Sequence, residues 1–368
     1  MLKKLIFLSL LCSTPVNVLA EEALPYTWLH ALTLESLSNL HGGVARGTRN
    51  LANLDLTLSV DTGATGWWDD GTFFVYVLGN YGRPPSELTG ELQVLSNIEA
   101  ENNLKFYELW YQHSFASGDV KLLVGLHDYN STFYALESSG LFSLSSFGIG
   151  PDIAQVTPSI FPTTATTIHL TLVHKDQYFL LATYDGIPGD PAHPRGTHIR
   201  YGRDDGLLTA AEWGFASEKN YKIAVGGWKH TAKVENPVDG SMSDSNSGYY
   251  VIGEKYFSEH WAAFFQYGHA DSKKNQLETY TGLGVTYKNL WVEEDVIGLG
   301  YARTENSSGF LVENPDLLFA ETVMEFTYYH PVTEKVSVQG SFYSVEHPGM
   351  APDLDNSLAL GLRLYIEF

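Results

Sequence analysis

Apolar and polar positions alternate with a period of two along most of this chain, and the alternation is cleanest at its end. Leu358, Leu360, Leu362, Leu364, Ile366 and Phe368 fall on one face of a strand; Ala359, Gly361, Arg363, Tyr365 and Glu367 fall on the other. A terminal segment in water frays, so a six-position apolar face ending in an aromatic residue needs apolar surroundings. The same period marks 54–60, 120–126, 168–172, 282–287, 323–328 and 336–343, and looser versions lie at 31–40, 72–80, 104–115, 178–184, 207–215, 221–230, 248–256, 261–269 and 295–303. No later stretch reaches the ~18 consecutive apolar residues of a spanning helix. The pattern predicts an all-β fold: a transmembrane antiparallel β-barrel of about sixteen strands, greasy outside and wet within.

The start of the chain reads as an export signal. Lys3 and Lys4 precede an apolar stretch from Leu5 to Leu11, and Val18 and Ala20 supply small residues at cleavage spacing. Residues 1–20 are the expected leader, and 21–368 a single barrel domain beginning at Glu21. Cys12, the only cysteine, lies in the leader behind Leu11, which is too large for a lipoprotein signal. The mature chain therefore has no thiol or disulfide, and closed strand pairing must hold it together. Export without a helical anchor points to the outer membrane of a Gram-negative bacterium.

Composition adds detail. The 22 Tyr, 19 Phe and 8 Trp suffice for two aromatic girdles. Loss of Lys3 and Lys4 leaves 20 basic against 43 acidic residues, a net charge of −23, which argues against nucleic acid as a partner. Acidic outer loops would meet lipid and lipopolysaccharide and could recruit divalent cations, although no metal site is identifiable. The longest stretch without a strand, 130–162, is rich in Ser, Phe and Gly and carries Pro151, Pro158 and Pro162. Long irregular segments in compact folds usually have a use. Folding inward to constrict the pore is the expectation, with an external loop as the alternative.

Five stretches carry a family resemblance: GGVARG at 42–47, the run ELWYQHSF through GIGP at 108–151, YDGIPGDP at 184–191, DDGLLTAAEWGF at 204–215, and 321–368 with VSVQGSFYSVEHPG and LALGLRLYIEF. In these the chain resembles the carbohydrate-selective porins of the OprB type, more loosely between 220 and 303. The resemblance implies a sixteen-stranded barrel passing mono- or oligosaccharides down their gradient through a pore narrowed by an inward loop.

A sugar path wants aromatic platforms beside groups that exchange hydrogen bonds with water. Glu108, Trp110 and Gln112 share one strand face and Leu109, Tyr111 and Phe115 the other, so the first three line the lumen if the second three meet lipid. Alternatively, Trp110 belongs to a girdle and Glu108 merely lines water. Arginine occurs only eight times; Arg46, Arg83 and Arg363 are expected inside, either donating to hydroxyls or paired with carboxylates. Asp55, Glu212, Glu325 and Gln339 are also expected to face the lumen. Asp128 and Asn130 open the inward loop, and Phe133, Phe142 and Phe147 pack it against the wall or form its own core.

Catalysis finds little support. There is no H-E-x-x-H, G-x-S-x-G or phosphate-cradling loop. His193 and His198 have no third ligand in view, and Glu293 and Glu294 would point to opposite strand faces. No catalytic residue, metal or cofactor is expected. Partners would be carbohydrates, membrane lipid, the barrel-assembly machinery engaging the strand that ends at Phe368, and possible further copies of the chain. A general, weakly cation-preferring porin and a plugged structural barrel are the alternatives to a sugar channel.

Overall fold

The computed structural model describes residues 24–217 and 220–368; the expected leader, 1–20, lies outside them. Each of the sixteen alternating segments is a strand of one closed antiparallel barrel. In order these are β1 (Tyr26–His41), β2 (Gly47–Asp61), β3 (Gly71–Gly82), β4 (Asn103–Phe115), β5 (Val120–His127), β6 (Ala165–His174), β7 (Gln177–Asp185), β8 (Leu207–Ser217) and β9 (Tyr221–His230). A two-stranded ribbon, β10 (Val234–Glu235) with β11 (Met242–Ser243), stands outside the wall. The barrel resumes with β12 (Asn246–Tyr256), β13 (Trp261–Ala270), β14 (Leu277–Lys288), β15 (Val296–Asn306), β16 (Ala320–Pro331), β17 (Val336–Glu346) and β18 (Ser357–Glu367).

β18 closes the barrel on β1 in a register running from Ala31 opposite Glu367 to His41 opposite Leu358. The Phe368 amide then donates to the His30 carbonyl at 3.1 Å. Closure leaves no barrel edge unpaired, the condition for crossing hydrocarbon with strands. Outward positions are exposed and apolar, among them Leu109, Val124, Ile168, Val225, Phe265, Leu283, Leu299, Phe326 and Leu360.

The two ends differ. One carries the long connections 83–102, 128–164, 186–206, 231–245 and 307–319; the other has short ones such as 116–119, 175–176, 257–260 and 332–335. Trp28, Trp67, Trp68, Trp261 and Trp291 gather exposed at the short-connection end with Phe368. There Trp68 Nε1 donates to the Tyr111 hydroxyl at 2.7 Å. Indoles with an apolar body and a polar N–H suit a membrane interface.

The buried apolar cluster lies inside the barrel. Segment 128–164, with three 3-10 turns and one α-helical turn at Pro151–Ala154, packs Phe133, Tyr134, Leu141, Phe142, Leu144, Phe147 and Ile153 against small inward residues such as Ala182, Ala210, Ala224 and Ala302. Glycines on β15 complete the seat. A Cβ on Gly298 would stand 2.6 Å from Leu141 Cδ2, and one on Gly300 2.5 Å from Phe147 Cζ. The inward face of β15 is bare there because aromatic side chains of the segment fill the space.

A second long connection, 83–102, also reaches in, with Glu91, Gln93, Leu95 and Ser96 buried. It meets the first through Asn97 N to Ser143 O at 2.8 Å and Ser145 N to Val94 O at 2.9 Å.

Candidate functional site

Irregular backbone inside a barrel brings peptide N–H and C=O groups that need partners, and the inner wall supplies them. Glu325 on β16 accepts from Ser143 N at 3.0 Å and Leu144 N at 2.9 Å, one per carboxylate oxygen. Glu254 on β12 accepts from Glu137 N at 3.3 Å and Ser138 N at 2.8 Å. Glu212 on β8 takes Tyr134 N at 3.0 Å and the hydroxyls of Tyr178 and Tyr250 at 2.6 Å each. Glu321 takes Leu92 N at 2.9 Å and Gly349 N at 2.7 Å. The carbonyls are met in turn: Gln339 Nε2 donates to Leu141 O at 2.7 Å, Gln266 Nε2 to Phe147 O at 2.9 Å, and Lys222 Nζ to Ala135 O at 2.7 Å. Charge-assisted bonds of this kind are the stronger ones, so the wall from β8 to β17 grips the segment.

Glu212, Glu325 and Gln339 were expected to face the lumen, and the structure adds what lies over them. All three point inward, but the segment covers them, and their exposures are 1%, 0% and 2%. Arg363 is likewise inward and buried, with Nε 3.1 Å from Glu35 Oε1 and Nη2 donating to Ser96 Oγ at 3.2 Å. It takes the carboxylate-paired alternative rather than a free guanidinium. Arg46, in the short 42–46 connection, and Arg83, at the start of 83–102, are exposed at the long-connection end, because neither falls within a strand.

On β2 to β5 the inner wall is different in kind. A bulge opposite Tyr76 and Val77 turns both Tyr107 and Glu108 inward, re-aiming side chains as bulges do. Trp110 and Gln112 follow on the same face, both half-exposed. Trp110 stacks on Phe74, centroids 4.9 Å apart at 22°, and its Nε1 donates to Glu108 Oε2 at 2.7 Å. Trp110 is therefore outside the girdle. The other Glu108 oxygen accepts from Asp128 N at 3.2 Å, where the inward segment leaves β5. Asp128 accepts from the Tyr107 hydroxyl at 2.7 Å and from Asn130 N at 2.7 Å. Asn130 Nδ2 holds the turn to Gly148 O at 2.9 Å. Asp55 is inward but buried, accepting from Asn53 at 2.6 Å and the Tyr76 hydroxyl at 2.5 Å. Phe133 stacks on Tyr129 of the same segment at 4.8 Å and meets His169 of β6 edge-on at 5.4 Å, and Phe142 and Phe147 meet Phe264 at 5.6 and 5.5 Å, so the three pack segment to wall.

Sequence reasoning missed Glu254, Gln266, Glu321 and the whole inward reach of 83–102. Glu321, Val323 and Glu325 share one strand face, so the alternation could have yielded Glu321 beside Glu325. Burial raises four acids of the inward segments, Glu91, Glu99, Asp128 and Asp152; Glu91, beside Glu321, and Asp152, against the Tyr134 hydroxyl, are each pushed up to about 7. His193 and His198 stand 5.5 Å apart, but no trio of metal-ligating side chains occurs among the described residues.

No curated protein matches the sequence. Among solved structures, OprB of Pseudomonas putida at high pH is similar with a TM-score of 0.82 at 16% identity, covering 94% of each chain. The low-pH structure of that protein gives 0.61 at 13% identity, over 94% of this chain and 93% of that one. The outer membrane channel DcaP of Acinetobacter baumannii gives 0.62 at 8% identity, over 93% and 97%. These likenesses establish the barrel fold. Residues 45–368 match the carbohydrate-selective porin family, OprB, and the chain belongs to that family.

Proposed function

We propose that the chain, after removal of residues 1–20, is an outer-membrane channel for passive diffusion of mono- or oligosaccharides. The long-connection end would face outward, as in barrels with short periplasmic turns. The observation that carries this reading is the half-exposed Trp110, stacked on Phe74, tied to Glu108 and adjacent to Gln112, at the level where the inward segment leaves the wall. An aromatic face beside a carboxylate and an amide matches the apolar ring face and hydroxyl edge of a sugar. Such contacts are weak enough for release, as conduction requires.

Purified protein in planar bilayers is expected to conduct ions and to be blocked saturably by glucose or maltose. Open channels indifferent to every sugar would leave a general porin. A closed, structural barrel is the competing reading favoured by the many buried groups on the inner wall; it predicts neither conductance nor liposome swelling.

A further inference from the structure

At the long-connection end lies a cavity of about 330 Å³ that shares no lining residue with the Trp110 site. Its walls come from the end of the inward segment, the top of β9, the ribbon β10–β11, and the connection between β13 and β14. We infer that this cavity is a second saccharide-binding site, a capture site at the mouth for a neutral mono- or disaccharide. The inference rests on the sugar-channel reading above and adds a place where the sugar is held before it reaches Trp110.

The walls are fixed in advance. Asn246 and Asn275 exchange reciprocal amide bonds at 2.9 and 2.8 Å. Gln155 clamps Leu277 through both its amide atoms, at 2.6 and 2.9 Å, and Asn236 ties the ribbon to Lys273 O at 2.9 Å. Loops, wall and inward segment are thus cross-linked around the space. A site whose groups are already positioned loses less freedom on binding.

The chemistry left over suits a polyol. Glu235 and the Thr157 hydroxyl line the cavity and have no hydrogen-bond or ion-pair partner among the described residues. His230 Nε2 donates to Gly186 O at 2.8 Å, which leaves Nδ1 as its second polar atom. A carboxylate accepts from two neighbouring hydroxyls at once, a hydroxyl both donates and accepts, and Val156, Val234 and Pro237 offer apolar surface for ring carbons. One carboxylate and one ammonium, Lys274, share the lining; that balance favours a neutral ligand over an anion or cation. The volume lies at the lower end of small-molecule sites.

The test uses the full mature chain in detergent micelles, with glucose and maltose as probes and saturation-transfer NMR as the readout. Trp110→Ala should retain saturable sugar binding, and adding Ser243→Trp, which fills the cavity from the half-exposed ribbon, should abolish it. Glu235→Ala, at an exposed position, should weaken the retained binding about tenfold with unchanged circular dichroism. The capture site is overturned if Trp110→Ala alone removes all binding, or if neither ribbon variant alters what remains. Retained, ribbon-dependent binding in a channel that no sugar blocks would instead uphold the capture site and sink the sugar-channel reading.

Discussion

Two arcs of the inner wall use the same residue types for opposite ends. From β8 to β17, inward carboxylates and amides are bonded by the backbone of segment 128–164, and small residues such as Ala210, Ala224, Gly298, Gly300 and Ala302 make room for it among the wall aromatics. From β2 to β5, inward groups pair mainly with side chains, Glu108 also taking Asp128 N, and Trp110 and Gln112 keep part of their surface open. An inward carboxylate in such a barrel therefore says little about ion preference until its partners are known. Glu254 and Glu325 face peptide N–H groups, so they are poorly placed to attract passing cations.

The sharpest way to break this contrast is Glu325→Ala. It strands two buried N–H groups, at about 1–3 kcal/mol each, and should release segment 128–164 from the wall. The expected outcome in bilayers is a severalfold rise in conductance with noisy openings and loss of sugar block. Glu325→Gln should fall between, since an amide has one acceptor for two donors and turns an N–H₂ toward the other. A quiet channel of unchanged conductance from Glu325→Ala would mean that the grip lies elsewhere.

The next effect is steric. Gly300→Ala places a methyl group 2.5 Å from Phe147, an overpacked contact of about 1–3 kcal/mol, whereas a Cβ on Gly340 meets nothing within 4 Å. Thermal unfolding should fall for Gly300→Ala and stay put for Gly340→Ala. Equal melting temperatures would show that the bare face of β15 is not a seat for the segment.

The strand order was readable because lipid on one side and side-chain packing on the other impose a period of two, and all sixteen segments carry it. The face shared by Glu108, Trp110 and Gln112 follows from the same rule. What alternation cannot reveal is what covers an inward residue. Glu212, Glu325 and Gln339 read only as lumen-facing because the partner that covers them is backbone 78 to 198 residues away. The burial of 83–102 was hidden for a related reason: its contacts, through Gln93 and Ser96, fall on distant strands and on the other inward segment.

On the open arc, Trp110→Ala tests the platform. Loss of an aromatic contact worth about 1 kcal/mol should weaken glucose or maltose block roughly fivefold in titrations of single-channel current, with ion conductance little changed. An unaltered block would remove Trp110 from the path and return its contact with Phe74 to simple packing.

The smallest expected effect concerns acid. Glu91 and Asp152 belong to the two inward segments, and burial raises each to about 7. Glu91 faces Glu321, the Thr89 hydroxyl and Leu95 N; Asp152 faces the Tyr134 hydroxyl. A segment swinging free would return its acid to about 4, the ordinary range. Between those values the placed form holds a proton that the released form has lost. Placement is therefore fully favoured below about pH 4 and weakens as pH rises through 7, by up to about 1.4 kcal/mol per unit for each acid. The hydrogen bonds that favour each carboxylate are already counted in that rise, and the fixed bonds of the wall still hold the segments, so what is read out is a change in noise. Gating noise should be lower at pH 5 than at pH 8, and Glu91→Gln should flatten the difference. Noise that instead grows on acidification would show that other buried groups control the segments, and that the grip of the β8–β17 arc is set by fixed bonds alone.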